Sequence, residues 1–391
     1  MPTLLIVGGG HASLPLLAHA RKLAEAAGAE VVLVSDRPEL WYSGMTPEWL
    51  GGVYTRADVT VPLGPICERE GVRFEVGRAV AIDRDAREVE LADGRRERYD
   101  VLAIDIGAVN PGRDEGDGTV RTKPLWRIED LGRFLEEDAS DGADRRLVIV
   151  GGGAAGVEVA LNVTARPGLG TLGVMVVEPA DRLCSGLPAR FGAWAADALR
   201  QRRATLRLGS QVETADTDGV RLRSGETLPA DAVLWATGSV GSPLLGEAGL
   251  AVTERGFARV DRGLRSVSDG RIFVAGDAAA VEGHEDLARI GVHAVKQGPV
   301  LRENVARALA ALADRRDPAG AGLQPFRPYP VAPLLVSTGE PTAWWLAGPV
   351  ALHNGPVLRL KHAVDRRWID RYRGGASYDG HWDARSASGR G

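Results

Sequence analysis

Cysteine is almost absent from this chain. Two in 391 residues leave no room for a disulfide framework. Two thiols cannot make a four-thiolate metal site, and Cys67 and Cys184 stand too far apart for a local Cys-x-x-Cys pair. They read as half-buried thiols in a reducing cytoplasm. An excess of one charge is missing too: 48 Lys and Arg face 52 Asp and Glu, a net of −4. A nucleic-acid face needs surplus basic charge, so nucleic acid is not the expected partner. No apolar run reaches the ~18–20 residues that span a bilayer. The start, Met1 into Thr3, lacks the charged stretch of a secretory leader, so the expected location is cytoplasmic.

Glycine, by contrast, is abundant: 50 residues, nearly double the ~7% of average usage. It is kept where backbone turns tightly or approaches a ligand closely. A length of 391 suggests two or three domains. The chain repeats itself. Leu4-Leu-Ile-Val-Gly-Gly-Gly-His-Ala-Ser13 is echoed by Leu147-Val-Ile-Val-Gly-Gly-Gly-Ala-Ala-Gly156. Each copy starts as a buried parallel strand, turns on glycines and enters a helical pattern. A second strand follows each, Val31–Val34 and Val174–Val177.

That unit predicts dinucleotide binding. The first glycine permits the sharp turn, the second lets backbone approach a pyrophosphate, and the third lets helix close on strand. Unpaired N–H groups then meet the phosphates. The second copy is complete, with Gly151, Gly153 and Gly156, and Glu178 closes its second strand. The first has Gly8 and Gly10 but Ser13 in third place, and its acid, Asp36, follows Ser35. Asp231–Gly238 and Asp100–Gly107 read as further strands with terminal turns; the latter has Asp105-Ile106 where the former has Ala236-Thr237. Arg271–Asp277 is another buried strand, ending in Gly276-Asp277. Ligands of parallel sheets sit at such carboxyl ends.

Two dinucleotide loops, an Ala-Thr-Gly turn and an Ala-Gly-Asp strand, in this order, resemble the flavoproteins of the pyridine nucleotide–disulfide oxidoreductase superfamily. More narrowly, the chain is similar to type II NADH dehydrogenases. It is closer still to the FAD-dependent proteins sometimes fused to selenide, water dikinase. Gly8–Ala12, Tyr42-Ser-Gly-Met45, Leu102–Gly107 and Ala294-Val-Lys-Gln-Gly-Pro299 carry the closer match. The resemblance covers about residues 1–315 and, more loosely, the segment through Tyr372.

The resemblance implies an α/β fold with two Rossmann-like dinucleotide-binding domains plus a smaller C-terminal segment. The FAD-binding domain would comprise residues 1–112 and 241–320, the NAD(P)H-binding domain 113–240, and the C-terminal segment 321–391. The FAD pyrophosphate would meet Gly8, Gly9, Gly10, His11, Ala12 and Ser13, and the adenosine ribose Ser35, Asp36 or Arg37. Asp277 would bind the ribityl chain. The helix beginning near Gly291 would aim its positive end at the flavin N1/C2=O edge. NADH would lie on Gly151, Gly152, Gly153, Ala154, Ala155 and Gly156, with Glu178 on its ribose. Gly44, Met45, Gly107, Gly238, Gly276 and Val292 complete the implied cofactor contacts.

The implied chemistry lacks a thiol relay. Disulfide reductases of this superfamily need a close cysteine pair beside the flavin, and none exists here. Sulfide:quinone oxidoreductases also use cysteines, whereas Cys67 and Cys184 fall outside the flavin motifs. Electrons would therefore pass directly from flavin to a small acceptor, a quinone foremost. Type II NADH dehydrogenases carry glutamines under the flavin where this chain has Val292 and Lys296. Lys296 would stabilise the anionic reduced flavin or a quinol oxygen, or else be a solvated helix lysine. Glu158 matches a family glutamate near the nicotinamide, or is a helix-start acid favoured by the dipole. No metal site is expected.

Beyond a linker at 315–322, the stretch 357–372 places Val357, Leu360, Val364, Trp368 and Tyr372 at helical spacing. Between Arg359 and Arg373, six Lys and Arg face two Asp. A basic, Trp-bearing amphipathic helix suits the inner face of a cell membrane. A helix docked over the flavin domain, or a homodimer interface, would use the same pattern. The reading is a FAD-dependent NADH dehydrogenase passing electrons to a quinone-like acceptor. Its alternatives are another acceptor, such as a sulfur or selenium species, an electron-transfer protein or O2, and a non-enzymatic NADH-binding redox sensor.

Overall fold

Strands that are apolar on both faces need cover on both sides, and a parallel sheet between helices provides it. The computed structural model describes residues 1–109, 128–136, 145–216 and 219–373 and contains two such sheets. The first has five parallel strands in the order Ile272–Val274, Val101–Ile104, Thr3–Val7, Glu30–Ser35, Arg73–Val76. The second has four, Thr205–Leu208, Gly173–Glu178, Arg146–Val150, Ala232–Trp235. Leu4, Leu5 and Ile6 are fully buried, as are Leu147 and Ile149 of the matching strand.

The internal repeat extends to register. Leu4 pairs with Val31 and Val101, and Leu147 pairs with Val174 and Ala232. Each sheet also sends out a three-stranded antiparallel ribbon before its next strand. One spans Ala79–Asp83, Glu88–Leu91 and Arg96–Arg98; the other spans Val212–Asp216, Gly219–Leu222 and Thr227–Leu228. The chain enters the second sheet and then returns to the first, where Ile272–Val274 lies beside Val101–Ile104. The long helix Gly291–Ala313 follows and packs on that sheet through Leu301, Val305 and Leu309.

The helix expected after the first glycine loop is interrupted, running as Leu14–Leu17 and then Ala20–Ala27. The helix after the second loop is continuous, Ala154–Ala165. An antiparallel sheet, Leu334–Ser337, Ala343–Ala347 and Val350–Asn354, leads into the C-terminal helix Gly355–Arg373. Trp344 of this sheet stacks on His353, with ring centroids 4.7 Å apart, and contacts Phe191 and Trp194 beside the second sheet. The helix turns the other way, onto the segment around Tyr42. The C-terminal segment thus touches both halves.

The apolar stripe read from 357–372 divides in three dimensions. Val357, Trp368, Ile369 and Tyr372 are buried against the protein, together with Lys361 and Asp365. Leu360 and Val364 face outward and are about half exposed. This corrects the expectation that the whole stripe could enter a membrane surface: the side of the helix holding Trp368 is already covered. Residues 374–391 lie outside the described residues. Among the described residues, no helix is long and apolar enough to cross a membrane.

Candidate functional site

Across the carboxyl end of the first sheet runs a cavity of about 1190 Å3, somewhat larger than the ~300–1,000 Å3 of typical small-molecule sites. Gly8, Gly9, Gly10 and His11 form its middle. Ser35, Asp36 and Arg37 line one end, and Asp277, Gly291 and Ala294 the other. Asp105 and Gly107 line it between them. Ala12, Ser13, Gly44, Met45, Gly276, Val292 and Lys296 are not among its lining residues. Ala12 and Met45 are buried core, and the Lys296 ammonium sits 3.5 Å from the centre of the Tyr329 ring.

The two glycine loops fold alike at their first turn. Gly8 (φ +95°) and Gly151 (φ +112°) adopt left-handed backbone that a side chain would strain. Each also lies against a carbonyl, of Asp105 and Ala236 respectively, leaving no room for a Cβ. Further along they differ. Gly156 closes against the Gly151 carbonyl and the Ala236 methyl. In the first loop Ser13 and Asp105 take those two positions, and the Ser13 N–H donates to Asp105 Oδ2 at 2.7 Å. The missing third glycine and the missing alanine are therefore one paired replacement. A Cβ at Gly10 would stand 2.5 Å from the same carboxylate, whereas at Gly153 it would meet open space.

Burial pushes the Asp105 carboxyl up to about 7, the Ser13 N–H opposes the shift, and nearby Asp277 adds to it. Burial also raises Asp277, with Arg289 acting against it. Burial drives His11 down to about 4, so its ring is neutral, and it stacks on Trp368 at 5.1 Å. At the far end, the Gly276 N–H donates to Gln297 Oε1 at 2.7 Å. Arg37 is paired with Glu129 at 3.2 Å, and its N–H donates to Ser35 Oγ.

On the second loop, Glu178 accepts from the Gly152 N–H at 2.6 Å and the Ala180 N–H at 3.0 Å. Arg182, the nearby cation, is spent on the carbonyls of Leu183, Cys184, Ser185 and Leu187. Glu158 Oε1 accepts from the Ser337 N–H and hydroxyl at 2.7 and 2.8 Å. Burial pushes it up to about 7, with Lys361 pulling the other way.

A buried ion cluster that sequence reading missed joins these parts. The Lys361 ammonium donates to Gly44 O at 2.5 Å, Glu48 Oε2 at 2.6 Å and Asp365 Oδ2 at 2.9 Å. All three of its protons are used. The Tyr42 hydroxyl donates to the other Asp365 oxygen, and His362 Nε2 lies 2.6 Å from Glu48 Oε1. Burial alone would neutralise these groups; their mutual attraction holds Lys361 up and Glu48 down. Its one signal in the sequence is that Lys361 and Asp365 share a helix face with Val357, Trp368 and Tyr372.

The residues present fit FAD. The cavity is long, glycine-cradled at its middle, polar at the ribose end, and holds a carboxylate, Asp277, at the other. Neither cysteine lines it; Cys67 and Cys184 are free and buried. A family model described as "Pyridine nucleotide-disulphide oxidoreductase" matches residues 2–298. The chain is similar to the ferredoxin–NAD(+) reductase component of a Pseudomonas putida p-cumate 2,3-dioxygenase system, 32% identical over 310 residues, 76% of this chain and 73% of that one. It is also similar to demethylphylloquinone reductase from Synechocystis, 26% identical over 294 residues, 71% of this chain and 72% of that protein. The crystal structure of sulfide:quinone oxidoreductase from Aquifex aeolicus shares the fold, with a TM-score of 0.70 at 19% identity over 97% of this chain and 93% of that one.

Proposed function

The chain belongs to the pyridine nucleotide–disulphide oxidoreductase family and is an NAD(P)H-dependent flavoprotein oxidoreductase; we propose that it oxidises NADH and passes the electrons to a quinone-like acceptor. In this reading FAD lies on the first loop and NADH on the second. The domain division is then 1–112 with 241–320 for FAD and 113–240 for NADH. The observation that carries the reading is the pairing of two nucleotide loops with a flavin-sized cavity that neither cysteine lines. Without a thiol pair, electrons leave the flavin directly.

FAD, when bound, supplies the hydride acceptance and onward electron transfer. The protein's own residues bind and orient. Asp277 would accept a ribityl hydroxyl, and the Gly291 end of the long helix would direct N–H groups to the flavin edge. Glu178 would turn from its loop N–H groups to the NADH ribose. Glu158, whose carboxyl burial pushes up to about 7, would hold a proton beside the nicotinamide. Lys296 keeps its proposed role as a cation for the reduced flavin or quinol, with Tyr329 as its present partner.

A protein acceptor of the ferredoxin kind is the second reading. It is favoured by the similarity to a ferredoxin reductase component and by exposed Arg359, Arg367 and Arg371 on the C-terminal helix. Stopped-flow mixing with NADH under anaerobic conditions should bleach the flavin within one turnover, and a soluble quinone should restore the colour at a comparable rate. Reoxidation by an acidic iron–sulfur protein but not by quinones would replace the first reading with the second. Slow reduction into a long-lived coloured complex would point to a sensor.

A further inference from the structure

We propose that Asp105 couples FAD binding to proton uptake: the cofactor is accepted when this carboxyl is neutral and expelled as it ionises. The proposal rests on the assignment of FAD to the first loop. In the second copy, the position of Asp105 is held by Ala236, whose methyl packs against Gly156. In the first copy the carboxylate stands among Gly10, Ser13 and Gly276, and Asp105 lines the cavity beside Gly8, Gly9 and Gly10. It therefore faces the stretch that the pyrophosphate, an anion, would meet.

Burial works against its charge and outweighs the Ser13 and Ala12 N–H groups and the Ser13 hydroxyl, which favour it. Oδ2 accepts the Ser13 N–H, and among the described residues no cation pairs with it. The titratable groups nearby are Asp277 from the turn after Ile272–Val274 and His11 from the glycine loop. Arg289 and His293 line a small pocket beyond Asp277, where Arg289 acts on Asp277. Asp277 repels an ionised Asp105, and His11 stays neutral. A pyrophosphate would add a second repulsion in a poorly solvated site. Protonated, the same group keeps its carbonyl oxygen for Ser13 and gains an O–H that can donate to a phosphate oxygen.

The sign follows by linkage. FAD stabilises the neutral form, so binding raises the carboxyl's affinity for its proton. Flavin affinity is then full below the apoprotein value of about 7. It falls by up to tenfold per pH unit above that, until the holoprotein value is passed. An ordinary aspartate, ionised throughout this range, would give no such slope.

The test is FAD titration of the apoprotein from pH 6 to pH 8.5, followed by quenching of flavin fluorescence. The wild type should bind at least tenfold more weakly at pH 8.5. Asp105→Asn, which keeps an acceptor for Ser13 and adds donors, should bind equally well at both ends. An Asn variant with the wild-type slope, or a wild type with none, overturns the coupling. Asp105→Ala, which copies the second loop, should likewise be flat, and it stands in if the Asn variant does not fold. Gly10→Ala should lose FAD at every pH because its Cβ meets the carboxylate. Full retention of FAD by that variant would overturn the loop assignment, and the coupling with it.

Discussion

Glu178 sets the nucleotide preference through one carboxylate and an absent cation. Its two oxygens accept the Gly152 and Ala180 N–H groups, which hold the carboxylate at the loop where a ribose would arrive. A 2′-phosphate would bring negative charge onto the same spot, and Arg182 is bound to four carbonyls of its own loop. NADH should therefore be preferred over NADPH in steady-state kcat/KM. Glu178→Ala should narrow the gap by about ten- to a hundredfold, the loss of one charge-assisted contact worth roughly 1.5–3 kcal/mol. Equal efficiency of the wild type with both nucleotides would count against the assignment.

The C-terminal helix shows how a buried charge can organise an element. Lys361, Glu48 and Asp365 are almost fully buried, and the ammonium has three acceptors in reach. Removing one member leaves the others charged and unpaired. Breaking such a pair costs about 3–5 kcal/mol. Lys361→Met should lower the urea midpoint accordingly, and adding Glu48→Gln should recover part of the loss. A midpoint unchanged in Lys361→Met would mean that the helix docks through Trp368 and Tyr372 alone. The stack of His11, Tyr42 and Trp368 gives those rings a role of their own: it ties the FAD-side loop to the helix, with Tyr42 and Trp368 4.4 Å apart.

With its inner side committed, the helix offers the solvent a narrow band: Leu360 and Val364, flanked by Arg359, Arg367 and Arg371. Val350 and Leu352 of the preceding strand are exposed as well. We expect this outer band, not the stripe containing Trp368, to meet an anionic membrane where a quinone would be reached. Basic side chains add on the order of 1 kcal/mol each near such a surface, screened by salt. Co-sedimentation with anionic vesicles should weaken in high salt and in the Leu360→Ser/Val364→Ser double variant, while flavin reduction by NADH stays fast. Sedimentation with neutral vesicles to the same extent would reject the electrostatic part.

Both glycine loops and the strands that flank them were readable in the linear chain. Glycine spacing and apolar runs act between neighbours within some thirty positions, so local sequence suffices to specify them. The repeated antiparallel ribbons went unread because their half-exposed strands alternate weakly. Asp105 registered only as a departure from the Ala-Thr-Gly pattern; its partnership with Ser13 spans 92 positions and exists only once two loops meet. Lys361 is written like any surface lysine, and its acceptors Gly44 and Glu48 lie more than 300 positions away. Which side of an amphipathic helix faces protein was likewise decided by folding. Hydrophobic spacing marks a face, and only a partner surface, with its charges in place, determines what covers it.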